Sequence, residues 1–212
     1  MTCLSLRIRH FLSTFASREN GNLSLESALI MPVLVWTVTL TYTFFDGFRE
    51  NTANLKAAYT VSDLISREGE DAITDTYAES MYLIYNRMVN NNSPLRMRLS
   101  VIQYIAADQD AGTEERYRIE WSTACGFESN WTDANLDTLV ERLPEMADLD
   151  TLIVVETSKD YVPLLNTGWL TRDHKFNNFI FTRPRFVPIV RGPNSTHFCQ
   201  QDVAPVGVAP GA

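Results

Sequence analysis

The 212-residue sequence lacks the signatures that mark most enzymes: no HExxH, no CxxC pair, no glycine-rich phosphate loop and no GxSxG elbow. Histidine is scarce, and His10, His174 and His197 are too scattered to make a ligand set. These absences lead to the expectation of a protein without enzymatic activity, cofactor, metal or small-molecule substrate. Basic charge is also short. The net charge is −8, which argues against a nucleic-acid partner and leaves no polybasic patch for anionic lipid. Finally, there is no second long apolar run. The next best after the first, Thr151 to Val155, is only strand-sized.

The one long run is Ser27 to Phe45, nineteen residues without a charge. At the rise of an α-helix it reaches about 28 Å, close to the hydrocarbon thickness of a bilayer. Bulky Phe44 and Phe45 close it and Asp46 follows, where a signal peptide would have a small-x-small cleavage site. An uncleaved anchor, or one cut on the cytoplasmic side, is therefore expected. Arg7, Arg9 and Arg18 precede the run, and acidic residues predominate after it. By the positive-inside rule the N-terminal arm stays cytoplasmic and the acidic remainder faces outward. Pro32 inside the run removes one backbone hydrogen bond, so a kink is expected there. Thr37, Thr39, Thr41 and Thr43 are tolerable at membrane depth if they bond back to carbonyls one turn earlier.

Helical spacing continues past Gly47 through Phe48, Leu55, Ala58, Tyr59, Ser62 and Ile65, which predicts an amphipathic stalk to about Arg67. A second helix is expected over 72–89, with Met81, Ile84, Tyr85 and Met88 on one face. The period then changes to two. Leu95, Met97, Leu99 and Val101 alternate with Arg96, Arg98 and Ser100, predicting a half-buried strand to about Ala106. After turn residues 108–113, Tyr117, Ile119 and Trp121 alternate in the second arm of an antiparallel hairpin. Thr132 is placed to cap a helix over 133–146. Leu152 to Tyr161 is the best further strand, and Phe179 to Val190 is an edge strand because of Pro184 and Pro188. The expected fold class is α+β: a basic arm (1–21), a long transmembrane and stalk helix (22–67), and a small extracytoplasmic domain of helices on an antiparallel sheet (68–202). A disordered tail (203–212) completes the chain.

Of the three cysteines, Cys3 falls on the cytoplasmic side, whereas Cys125 and Cys199 share the outward domain. An oxidising compartment would join Cys125 to Cys199, with two buried free thiols as the alternative. Glu156 and Asp160, four residues apart on a strand, face the same way and read as paired surface acids. His174 beside Asp173 reads as a solvated loop residue.

Glu26 stands apart. An acid in the first turn of a helix gains roughly 0.3–1 kcal/mol from the helix dipole. A carboxylate at the bilayer centre, by contrast, costs about 2.5–3.5 kcal/mol. Acidic groups at membrane depth are functional candidates for that reason.

The spacing Gly21, Asn22-Leu23-Ser24-Leu25, Glu26, followed by a long apolar helix, resembles a type IV prepilin. The wider pattern Phe15-x-Ser17-x-Glu19-x-Gly21 with Ser24-Leu25-Glu26-Ser27-Ala28-Leu29-Ile30-Met31-Pro32 is similar to the start of TadE-like proteins, pseudopilin-related components of tight-adherence (Flp-type) pilus assembly. The run Asn54-Leu55-Lys56-Ala57-Ala58-Tyr59, the strand Leu152 to Glu156 with Tyr161-Val162-Pro163-Leu164, and Phe181-Thr182-Arg183-Pro184-Arg185-Phe186 add to the likeness. Ser27 departs from the aromatic that Flp-type pilins commonly carry after the glutamate. The resemblance implies a pilin-like fold, a prepilin-peptidase-like cut between Gly21 and Asn22, and pairing of Glu26 with the new amine of a neighbour. Pro32 would belong to the same assembly segment. It further implies a bacterial inner-membrane location with a periplasmic C-terminal domain. The implied partners are other pilins or pseudopilins, inner-membrane pilus machinery and a prepilin peptidase. The alternative reading is a generic single-pass, membrane-anchored extracytoplasmic binding or sensor module.

Overall fold

A computed structural model describes residues 23–69, 71–89, 94–107, 114–163, 174–193 and 195–199. The arm with Gly21 and Asn22, residues 90–93, 108–113 and 164–173, and the tail 203–212 lie outside the described residues. The first helix, α1, runs Leu23–Ser66. The chain divides within it into two compact units, residues 1–45 and 46–212.

In the first unit α1 is helical on both sides of Pro32. Thr37, Thr39, Thr41 and Thr43 each donate to the carbonyl four residues back, at 2.8–2.9 Å. Their hydroxyls are thus satisfied within the helix, as an apolar surrounding requires. Leu29, Ile30, Val33, Leu34 and Val38 are exposed. Among the described residues this is the one helix long and apolar enough to cross a membrane, with a mean hydropathy of 1.7 in its most apolar window.

The second unit begins at Asp46 and is an α+β fold. Its sheet has four antiparallel strands in the order β2-β1-β3-β4, namely Arg116–Cys125, Leu95–Ile105, Thr151–Tyr161 and His174–Thr182. One face carries Met97, Leu99, Val101, Ile153 and Val155, packed with Ala57, Val61 and Ile65 of α1. Ala78, Met81, Tyr85 and Val89 of α2 (Asp75–Val89) complete that layer. Thr74 starts α2 by accepting the Tyr77 N–H at 3.2 Å. The opposite face holds a smaller cluster of Ile102, Val154, Leu136 and Leu139. With side chains covered on both faces, β1 is buried along most of its length rather than half-buried.

The stripe expected on α1 splits in two. Ala58, Ser62 and Ile65 are buried, whereas Phe48, Leu55 and Tyr59 face outward. The reason is size: Ala57 and Ala58 let the helix approach the sheet closely, which bulkier Leu55 and Tyr59 would prevent. On α2, Met81 is buried as its spacing predicts, but Met88 is 41 % exposed because the packed face turns toward Val89.

Two further elements differ from expectation. Residues 133–146 form only a 3-10 turn, Asp133–Asn135, and one helical turn, α3, at Asp137–Val140. Asn135 Oδ1 accepts the Thr132 N–H at 2.7 Å, and Asp133 Oδ1 accepts the Ile119 N–H of β2 at 2.8 Å. These bonds tie the segment's start to the sheet and its neighbours, and Pro144 prevents a later continuation. The edge strand β4 starts earlier than Phe179 and stops before Pro184. Lys175, Asn177 and Asn178 look like loop residues, but pairing with β3 along nine positions makes them strand.

After β4 the chain returns as a strap along β2. Val190 O accepts the Trp121 indole N–H at 2.8 Å, and the Ala124 N–H donates to Thr196 O at 3.0 Å. Phe198 enters the core beside Tyr82. A disulfide joins Cys125 to Cys199, with 5.3 Å between their Cα atoms. Gly192 is required where the strap crosses Trp121, because a Cβ there would overlap the indole ring. The Gly192→Ala variant is expected to push the strap off β2 and lose about 1–3 kcal/mol, the usual range for overpacking. A shifted urea midpoint, read by Trp fluorescence, measures this, and an unchanged midpoint contradicts the tight crossing.

Candidate functional site

Sequence spacing nominates the start of α1, and the described residues include only part of it. Glu26 lies in the first turn with its side chain exposed, and Pro32 comes farther along the same exposed helix. The processing residues Gly21 and Asn22 lie just before the first described residue, Leu23.

On the sheet, two polar clusters emerge that hydrophobic patterning did not single out. The first is on the face opposite α1 and α2. Arg98 and Glu156 are direct neighbours across β1 and β3. Arg98 Nε donates to Glu156 Oε2 at 2.6 Å, and both side chains are only 9 % exposed. Arg98 Nη1 donates to Ser129 O at 2.8 Å. The guanidinium lies 4.7 Å from the ring centre of Phe127 and 4.4 Å from that of Trp131. The Trp131 indole N–H also donates to Glu156, and Arg142 approaches the same carboxylate at 3.9 Å.

The expectation of paired surface acids is therefore corrected. Glu156 is a buried, fully engaged carboxylate, and Asp160 has its own partner in Arg96 at 2.9 Å. Each acid answers one arginine across the strand pair: Arg98 stands directly opposite Glu156, whereas Arg96, opposite Ser158, reaches diagonally to Asp160. The cluster fastens the loop carrying Phe127, Ser129 and Trp131 over the sheet.

The second cluster joins the 46–66 segment of α1 to β3 and β4. Asp46, Glu50 and Asn54 follow one another at single-turn spacing. Asp46 accepts the Tyr161 hydroxyl at 3.1 Å. Glu50 is ion-paired with Lys159, whose side chain is completely buried. Asn54, also fully buried, accepts the Tyr85 hydroxyl at 2.6 Å and donates to Phe176 O at 3.3 Å. Burial, and next the bond to Asp46, pushes the Tyr161 hydroxyl up to about 12. Burial likewise raises Tyr85 well above its ordinary value, so it remains a hydrogen-bond donor at neutral pH.

The two histidines of this unit take structural places. His174 is the first residue of β4 and packs edge-on against Phe176, at 5.5 Å between ring centres. It is a strand residue rather than a loop residue. His197 pairs with Ala124 in the strap. Among the described residues no group of three or more His, Cys, Asp or Glu is arranged to hold a metal ion. Set against known protein families, curated proteins and solved structures, the chain matches none of them.

Proposed function

We propose that this protein is a non-enzymatic minor pseudopilin or membrane-anchored assembly factor of a Flp-type, tight-adherence pilus, similar to TadE-like proteins. The observation that carries this reading is that one helix, Leu23–Ser66, has both an uncovered apolar run and a segment packed on an antiparallel sheet. The likeness at Gly21 to Pro32 supplies the pilin-related part. The Cys125–Cys199 bond suits a domain in the oxidising periplasm, with the basic arm on the cytoplasmic side of the bacterial inner membrane. Other pilins or pseudopilins and the inner-membrane pilus machinery are the partners. The outward row Phe48, Leu55 and Tyr59 is the surface offered to them.

In this role Glu26 acts through its charge. Near the hydrocarbon it is favoured only beside a positive partner, and the amine freed by a prepilin peptidase cutting between Gly21 and Asn22 supplies one on a neighbouring subunit. The Glu26→Ala variant is expected to lose pilus assembly while its sheet domain unfolds at the same denaturant concentration as wild type. Assembly is read by counting surface pili in cells expressing the variant. Replacing residues 1–48 by an unrelated membrane anchor should abolish assembly as well. Normal piliation with both changes would instead support a generic anchored binding module.

A further inference from the structure

Lys159 is an unusual residue for its position. Its side chain is fully buried on the helix-facing side of β3, where a lone ammonium is strongly disfavoured. Its ion-pair partner, Glu50, lies one helical turn before Asn54, so the two side chains share one face of α1. Phe176, the residue paired with Lys159 across β3 and β4, gives its carbonyl to Asn54 Nδ2. The fully buried amine and carboxamide, with the partly covered carboxylate paired to the amine, thus meet where α1 packs on β3 and β4, near Tyr85, Tyr161 and Phe176. The carboxamide oxygen already accepts a hydrogen bond from Tyr85.

We propose that Lys159 and Asn54 form an intramolecular amide cross-link, assisted by Glu50. Glu50 takes a proton from the Lys159 ammonium, giving a neutral amine. The amine's lone pair attacks Asn54 Cγ and forms the new C–N bond. The developing charge on Oδ1 is met by the Tyr85 hydroxyl, as in an oxyanion site. Glu50 then relays protons to Nδ2, the original C–N bond breaks, and the leaving group departs as ammonium. The Glu50 carboxylate is regenerated, with no oxidation or reduction. Holding a fully covered amine and a fully covered carboxamide against the same stretch of β4 is what makes an otherwise slow aminolysis accessible. The product ties α1 covalently to a central strand of the sheet, so tension applied along the helix would be carried by a covalent bond.

The cross-link is independent of the pilus reading and is tested by mass spectrometry of the full-length chain extracted in detergent. After reduction, the wild-type protein should be one ammonia lighter than the mass calculated for the chain from the N-terminus found in the same sample. Trypsin should release residues 50–56 joined to residues 143–172, because an acylated Lys159 is no longer a cleavage site. The Glu50→Gln variant should keep the full mass and yield the two peptides separately. An unmodified wild-type mass overturns the proposal. So does an ammonia loss that maps elsewhere while residues 50–56 and 143–159 appear as free peptides.

Discussion

The Arg98→Ala variant is expected to lose about 3–5 kcal/mol of stability, the range found when one partner of a buried ion pair is removed. Arg98 and Glu156 are both nearly covered, and the guanidinium also bonds Ser129 O and contacts the ring faces of Phe127 and Trp131. Truncation leaves the Glu156 charge buried, with only the Trp131 indole and a more distant Arg142 to answer it. It also removes the flat surface on which two aromatic rings rest. An Arg98→Lys change keeps the charge but loses the planar fork and most of the stacking, so it should fall between wild type and alanine. The double replacement Arg98→Met with Glu156→Leu tests the cause. If the penalty comes from an orphaned charge, the double variant should be more stable than Arg98→Ala alone. Guanidinium-induced unfolding of the three variants, read by Trp fluorescence and far-UV circular dichroism, measures the order. Equal midpoints for Arg98→Ala and wild type would contradict a buried pair.

This pair also marks the limit of what the linear pattern conveys. The alternation Leu95, Met97, Leu99, Val101 identifies a strand and its core side, and the structure agrees on both. A period of two cannot reveal whether a second layer covers the other side. Here the segment 126–143 does so, and Arg98 and Glu156 change from surface residues to buried ones. The same holds for α1, where helical spacing locates Phe48, Leu55 and Tyr59 on one stripe but does not say which stripe meets the sheet. Small Ala57 and Ala58 decide that. Contacts between distant positions are the least legible. Glu50 meets Lys159 from 109 residues away, and Gly192 is needed only because Trp121 lies beneath it. The pairing of Cys125 with Cys199 is the exception, since few cysteines leave few combinations.

Removing that pairing, by Cys125→Ser with Cys199→Ser, is expected to cost about 4 kcal/mol, given a closed loop of 74 residues' separation. The chain-entropy argument locates most of the loss in the unfolded state, which gains freedom once the loop opens. The native state adds a local component. Cys125 ends β2, and Cys199 ends the strap that brings Val190 and Phe198 into the core. Without the bond, the strap is held by Phe198 and by a few hydrogen bonds, among them Trp121 Nε1 to Val190 O and Ala124 N to Thr196 O. It should therefore detach before the sheet unfolds. In the variant, Trp fluorescence should change at lower denaturant than far-UV circular dichroism, whereas wild type should show coincident transitions. A reductant should reproduce the split in wild type, and the Cys3→Ser variant should leave both signals unchanged. If thiol alkylation of unreduced protein labels Cys125 or Cys199, the bond is not formed in the cell and the strap depends on packing alone.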